Sequence, residues 1–274
     1  MTCLAMTAFA ANSVLCRFAL GQDSIDPTAF TAVRLLSGAL VLSAIFVCRT
    51  GRKTSSGRGS WLAAAMLFLY AISFSFAYVS LTTGTGALIL FGAVQITMIV
   101  LTLISGEQLR LAEWLGLTMA FGGLVYLVLP GVTAPSLSGF LLMALAGGAW
   151  GVYTLRGRGS KNPLADTAFN FIRSVPLVII PVLAAFPKMQ VTNEGILLAA
   201  LSGGVTSGIG YAIWYTALRG LTATLAAVVQ LSVPIIAATG GVIVMSEQIT
   251  LRLILSAFLT LGGILIVILG KPKN

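Results

Sequence analysis

The sequence predicts an all-α integral membrane protein of ten transmembrane helices in two inverted repeats of five. Three observations carry that prediction: the composition, the length and spacing of the apolar stretches, and short motifs that recur at a fixed offset.

Of the 274 residues, 58% are hydrophobic and 8% charged, and the mean hydropathy is +1.02. Soluble domains carry about 25% charged residues, so most of this chain has lipid as its solvent. The formal net charge of +9 does not point to nucleic acid. The basic residues sit mainly in short gaps between apolar stretches, and no basic face with interleaved aromatics forms. Cys3, Cys16 and Cys48 lie in or beside apolar segments without metal-ligand spacing and read as packing residues. There is no histidine, the commonest general base and metal ligand, so neither a metal nor a cofactor is expected. Arg17 and an acidic loop follow the first apolar stretch and further spans come at once, so that stretch reads as a span rather than a cleavable signal.

About 20 mostly apolar residues are needed to cross the hydrocarbon core. The stretches that qualify are roughly 2–20, 28–48, 60–81, 84–105, 111–129, 136–155, 164–186, 195–218, 222–245 and 251–269. Asp26-Pro27, the run Gly51 to Gly59, Pro130-Gly131, Asn162-Pro163 and Pro187 break the chain between spans. The runs are too long and too uniformly apolar for barrel strands, which alternate over about ten residues, and helices satisfy their backbone within lipid. Short connections make consecutive helices antiparallel neighbours. Glycine is abundant, as at Gly147/Gly151, Gly204/Gly208, Gly122-Gly123 and Gly262-Gly263, and small residues let membrane helices approach closely.

Orientation follows from Lys and Arg in the loops. With the N-terminus inside, the inner loops hold Arg49, Arg52, Lys53, Arg58, Arg110, Arg156, Arg158, Lys161, Arg219, Lys271 and Lys273. The outer loops hold Lys188 and Arg252, with Arg17 near the outer end of the first helix. Both termini are therefore expected in the cytoplasm, in a multi-pass protein of the cell's inner membrane.

At an offset of 140, Leu81-Thr82 meets Leu221-Thr222, Glu107-Gln108 meets Glu247-Gln248, and Gly122-Gly123 meets Gly262-Gly263. One residue away, Thr28-Ala29-Phe30 and Arg34 meet Thr167-Ala168-Phe169 and Arg173. The expected organisation is residues 1–130 as the first five-helix repeat and 136–274 as the second, together one transmembrane domain. Five is odd, so the second repeat enters the membrane upside down. Inverted repeats mark secondary transporters, with the solute site near the midplane between the halves.

A Gly-Glu or Ser-Glu step after the fourth helix of each half and a Gly-Gly pair in the fifth resemble the drug/metabolite transporter superfamily, EamA type. Asn12 in the first helix, Trp150-Gly151 in the sixth and Pro234 in the ninth match as well. The chain departs from the family pattern at Ala10-Ala11, where Trp-Gly often precedes the asparagine, and at Val94, where a second helix-bending proline is expected opposite Pro234. The resemblance implies export or exchange of metabolites such as amino acids, with aromatic amino acid exporters as an analogy. A multidrug or cationic-compound efflux carrier is the alternative.

Polar groups inside a membrane are functional suspects by default. Asp23, Asp26, Glu107, Glu113, Asp166, Glu194 and Glu247 all lie at or near helix ends, so a buried proton relay lacks its usual parts. Facilitated diffusion or exchange fits better than a carboxylate-based antiporter, and an intramembrane enzyme lacks a base and a metal cluster. Glu107 and Glu247 are expected to start the helices that follow them, with Ser105 and Gln108 as a capping box. Arg34 and Arg173 lie about 9 Å and about 13 Å into their helices. Each reads either as snorkelling to an interface or as an anchor for a substrate carboxylate or broken-helix carbonyls, and their matched positions favour a shared structural duty.

The better site candidates are uncharged. Asn12, Tyr78, Gln95, Trp150, Tyr153, Tyr211, Trp214, Tyr215 and Gln230 all lie within spans. Tyr211, Trp214 and Tyr215 share one helical face. Trp61 and Trp114 fit a headgroup belt, and Trp150 lies near enough to a helix end to join it. Aromatics with amides make a pocket for a neutral or zwitterionic, partly apolar solute. The expected partners are that solute and the lipid bilayer, and a monomer is compatible with the sequence.

Overall fold

The computed structural model describes residues 1–50, 59–104, 106, 110–131, 133–157, 160–218 and 228–270. Among them, ten helices are long and apolar enough to cross a membrane. They are α1 (Thr2–Gly21), α2 (Pro27–Thr50), α3 (Trp61–Tyr78), α4 (Thr83–Ile104), α5 (Leu111–Val128), α6 (Leu137–Gly157) and α7 (Pro163–Ala185). The eighth, α8, is α-helical over Asn193–Leu201, π-helical over Ser202–Ile209 and α-helical again over Gly210–Leu218. Then come α9 (Val233–Met245), the larger part of a ninth span that begins at Val228, and α10 (Leu251–Gly270).

Local chemistry sets several ends. Ser60, Asn162 and Thr192 accept from the amides of Ala63, Ala165 and Gly195 at the starts of α3, α7 and α8. Pro163 sits at the first position of α7, where a missing N–H costs nothing. Glu113 caps α5 by accepting from Arg110 N at 2.8 Å. Pro234 is the second residue of α9. The chain before it turns at Leu231 and Ser232, whose amides reach back three residues to Val228 and Val229. The ninth span is therefore broken at Pro234, while α4, with Val94 in the matched place, runs unbroken.

The packing repeats with the sequence. The halves meet through α2 with α7, α4 with α9 and α5 with α10, each pairing a helix with its own counterpart. Further contacts between the halves come as related pairs: α3 with α6 and α8 with α1, α4 with α6 and α9 with α1, α2 with α8 and α7 with α3. In the tightest pair, α5 and α10, a Cβ on Gly116 or on Gly263 would meet the other's carbonyl oxygen. Large apolar side chains such as Leu40, Ile180, Ile243 and Phe258 cover the outside, as lipid requires.

The face opposite the two chain termini is tied across the halves. Asp26 N donates to Gln190 O at 2.9 Å and Thr192 N to Ser24 O at 3.0 Å, joining the α1–α2 and α7–α8 loops. The Ser80 and Ser136 hydroxyls lie 2.7 Å apart. Arg17 Nη1 donates to the carbonyls of Tyr78 and Val79 at 2.9 and 3.0 Å, and Arg17 Nε pairs with Glu247 at 3.4 Å.

Glu247 corrects one expectation. It does not start α10, whose first turn is capped by Thr250 Oγ1 accepting from Leu253 N at 3.1 Å. Its carboxylate instead accepts from Thr83 N at 2.8 and 3.1 Å, so it complements the N-terminus of α4 in the other half. Ser246, at φ 55°, turns the chain so that this is possible, and Gly241 leaves the room, since a Cβ there would strike the carboxylate. Glu107, Ser105 and Gln108 lie outside the described residues.

Candidate functional site

Where the halves meet, aromatic rings from both form one connected cluster. Tyr70, Phe74 and Tyr78 recur every fourth residue along α3 and so share a face. Tyr70 and Phe74 have centroids 5.4 Å apart, and Phe74 and Tyr78 4.7 Å. From the second half, Trp150 on α6 lies 4.8 Å from the Tyr70 ring. It stacks on Tyr153 at 5.1 Å and on Tyr211 of α8 at 5.3 Å. Phe9 of α1 closes the chain of rings, 5.8 Å from Tyr211 and 5.9 Å from Trp214.

Asn12 is the polar centre. Its Oδ1 accepts from Ser202 Oγ at 2.7 Å and Thr206 Oγ1 at 3.3 Å, and its Nδ2 donates to Tyr70 Oη at 3.4 Å. Ser202 and Thr206 belong to the π-helical stretch of α8, whose hydrogen bonds span one residue more than those of an α-helix, a geometry frequent at functional sites. There Gly203 lets α8 touch α2: a Cβ on it would collide with the Arg34 carbonyl oxygen and the Ser37 hydroxyl.

Arg34 is 2% exposed. Its Nη2 donates to Tyr70 Oη at 3.0 Å, and its guanidinium lies 5.1 Å from the Tyr70 centroid and 4.9 Å from that of Phe74. Such contacts favour a cation. Its Nη1 is buried with no hydrogen-bond partner among the described residues. Arg173 differs. It is half-buried and lies 5.6 Å over the ring of Trp61, which is itself 61% exposed. The two matched arginines therefore have different surroundings: Arg173 lies over the exposed ring of Trp61, and Arg34 is enclosed by Tyr70 and Phe74.

Of the candidates, Asn12, Tyr78, Trp150, Tyr153, Tyr211 and Trp214 come together. Trp150 packs into the cluster rather than a headgroup belt, while Trp61 and Trp114 are exposed as a belt requires. Gln95 is buried in α4 and joins the cluster by no hydrogen bond among the described residues. Gln230 is half-buried at the break before α9. Tyr215 lies on α8 next to Trp214, and its side chain falls outside the described residues. Tyr70, Phe74, Phe9, Ser202 and Thr206 are members that the sequence reading does not single out. A groove of about 480 Å³ between α4, α5 and α6 shares no residue with the cluster. Its walls include the exposed Phe121, Val125 and Leu129, so it belongs to the lipid-facing surface.

The division into two halves matches the comparison with known proteins. The model of the EamA-like transporter family matches twice, over residues 1–129 and 137–269. The chain belongs to the EamA-like transporter family. It is 49% identical to an uncharacterised protein of Pseudomonas aeruginosa over 98% of this chain and 93% of that one. An uncharacterised transporter of Archaeoglobus fulgidus is 25% identical over 89% of each chain. The uncharacterised transporter YoaV of Bacillus subtilis is 22% identical over 89% of this chain and 88% of its own. A crystal structure superposes over 96% of both chains with a TM-score of 0.66 at 20% identity, which bears on the fold alone. Membership of the EamA-like family makes this a multi-pass membrane protein of a type that moves small solutes.

Proposed function

We propose that this EamA-like protein exports small, partly apolar metabolites, aromatic amino acids foremost, across the inner membrane by alternating access, through facilitated diffusion or exchange. The carrying observation is the ring cluster around Asn12, built by α1 and α3 of one half and α6 and α8 of the other. Rings give an apolar body a stacking surface, and the hydroxyls and amide beside them orient polar groups. Because both halves contribute, rocking one against the other exposes the cluster to each side in turn.

With the termini in the cytoplasm, as the loop charges support, the face tied by Arg17 and Glu247 is the outer one. Asn12 and the aromatics serve as solute contacts, Tyr153 among them by its stack on Trp150. Pro234 serves as a hinge in the broken ninth span, and Gln230 stands beside it. A cationic solute is disfavoured by the buried Arg34, since like charges repel where the dielectric is low. The test is counterflow in liposomes of the purified protein, using labelled amino acids, nucleosides and quaternary amines. Exchange of aromatic amino acids well above that in empty liposomes is expected. Exchange of quaternary amines alone would sink this reading.

A further inference from the structure

We infer that Arg34 and Tyr70 form the docking point for the carboxylate of the transported solute, so that the carrier selects partly apolar organic acids and amino acids over their amides and amines. This inference rests on the transport reading above and names the solute's chemical class.

Arg34 is a cation on a membrane-spanning helix, almost wholly out of contact with solvent. A buried charge is costly unless it is paired. Among the described residues the one ion pair is Arg17–Glu247, and no carboxylate stands within salt-bridge distance of Arg34. Two ring faces and one phenol oxygen are its compensation, and Nη1 is left without an acceptor.

Tyr70 adds a second unused donor. Its oxygen accepts from both Arg34 Nη2 and Asn12 Nδ2, and its own O–H finds no acceptor among the described residues. Two buried donors beside one another, one of them charged, with no acceptor between them, suit the two oxygens of a carboxylate. The Trp150 ring lies 4.8 Å from that of Tyr70, so a solute held by its carboxylate has its apolar body beside the stacked rings.

The fold does not itself demand a buried arginine here. The matched residue of the other half, Arg173, is half-buried and lies over the exposed ring of Trp61, so the repeat accommodates this side chain in different surroundings. What keeps Arg34 inside is the company of Tyr70 and Phe74, a local feature of the first half.

The test compares four solutes of one apolar body in liposomes of the purified protein: L-phenylalanine, 3-phenylpropionate, L-phenylalaninamide and phenethylamine. The two carboxylates are expected to exchange at least about tenfold faster than the amide and the amine, the scale of one lost charged hydrogen bond. Arg34→Gln is expected to lower carboxylate exchange at least about tenfold at equal incorporation, and Arg34→Lys to retain part of it. The wild-type comparison decides even where Arg34→Gln does not fold. Wild-type exchange of the amide or amine at the carboxylate rate leaves the transport reading standing and overturns the anchor. So does a folded Arg34→Gln protein that exchanges phenylalanine at the wild-type rate. Exchange of none of the four, while other metabolites move, also overturns it. If nothing moves in any panel, the transport reading fails first and the anchor with it.

Discussion

Replacing Glu247 with Gln probes the bond that ties the two halves together. The carboxylate accepts twice from the Thr83 amide, at 2.8 and 3.1 Å, and pairs with Arg17 at 3.4 Å. The side chains are 23% exposed for Arg17 and 12% for Glu247, so the pair is worth more than the 0 to 1 kcal/mol typical at a surface, and about 1 kcal/mol of coupling is a conservative figure. Gln keeps one acceptor for Thr83 and removes the charge seen by Arg17. Glu247→Gln should therefore lower the melting temperature of the detergent-solubilised protein by about 2–4 °C. Arg17→Gln should lower it further, since the carbonyls of Tyr78 and Val79 also lose their donor. The double variant decides the matter. Coupled residues give a double variant about 2–4 °C more stable than the summed single losses. Losses that simply add would refute a direct Arg17–Glu247 interaction.

Gly203→Ala places a methyl group against the Arg34 carbonyl and should cost about 1–3 kcal/mol. Gly122→Ala meets nothing within 4 Å and should be neutral or stabilising, so the two melting temperatures should move apart. Asn12→Ala strands the Ser202 hydroxyl, while Thr206 keeps its bond to Ser202 O, and should destabilise by about 1–3 kcal/mol in thermal unfolding. Trp214→Ala and Gln230→Ala should alter solute uptake while the protein stays monodisperse on size exclusion, and unchanged uptake would remove either from the solute path. With no histidine in the chain, exchange should vary less than about twofold between pH 6 and 8. A steep profile measured there would point to a proton-coupled cycle.

The ten spans were legible because lipid imposes one simple rule, about 20 apolar residues per crossing. The inverted pairing was legible because Glu107-Gln108 and Gly122-Gly123 recur as Glu247-Gln248 and Gly262-Gly263. What the residues alone conceal is which neighbour each one meets. Arg34 and Arg173 are equivalent by offset, yet Tyr70 and Phe74 lie around one and Trp61 beside the other. Glu247 reads as a helix starter, and it does complement a helix N-terminus, but that of α4. Tyr70 and Phe74 look like ordinary apolar filling until the four-residue spacing with Tyr78 is followed along α3. The π-helical stretch had a sign in the polar, glycine-rich run Ser202 to Gly208, but not its partner, Asn12, which accepts from the Ser202 hydroxyl from 190 residues away.

The most direct measurement compares phenylalanine counterflow in liposomes carrying equal amounts of wild-type protein, Trp150→Ala and Tyr211→Ala. These two rings stack 5.3 Å apart, one on α6 and one on α8. Each truncation removes about 1 kcal/mol or more of aromatic contact, and exchange is predicted to fall at least about fivefold. Saturable exchange that is the same in all three proteins would contradict a solute path through this cluster.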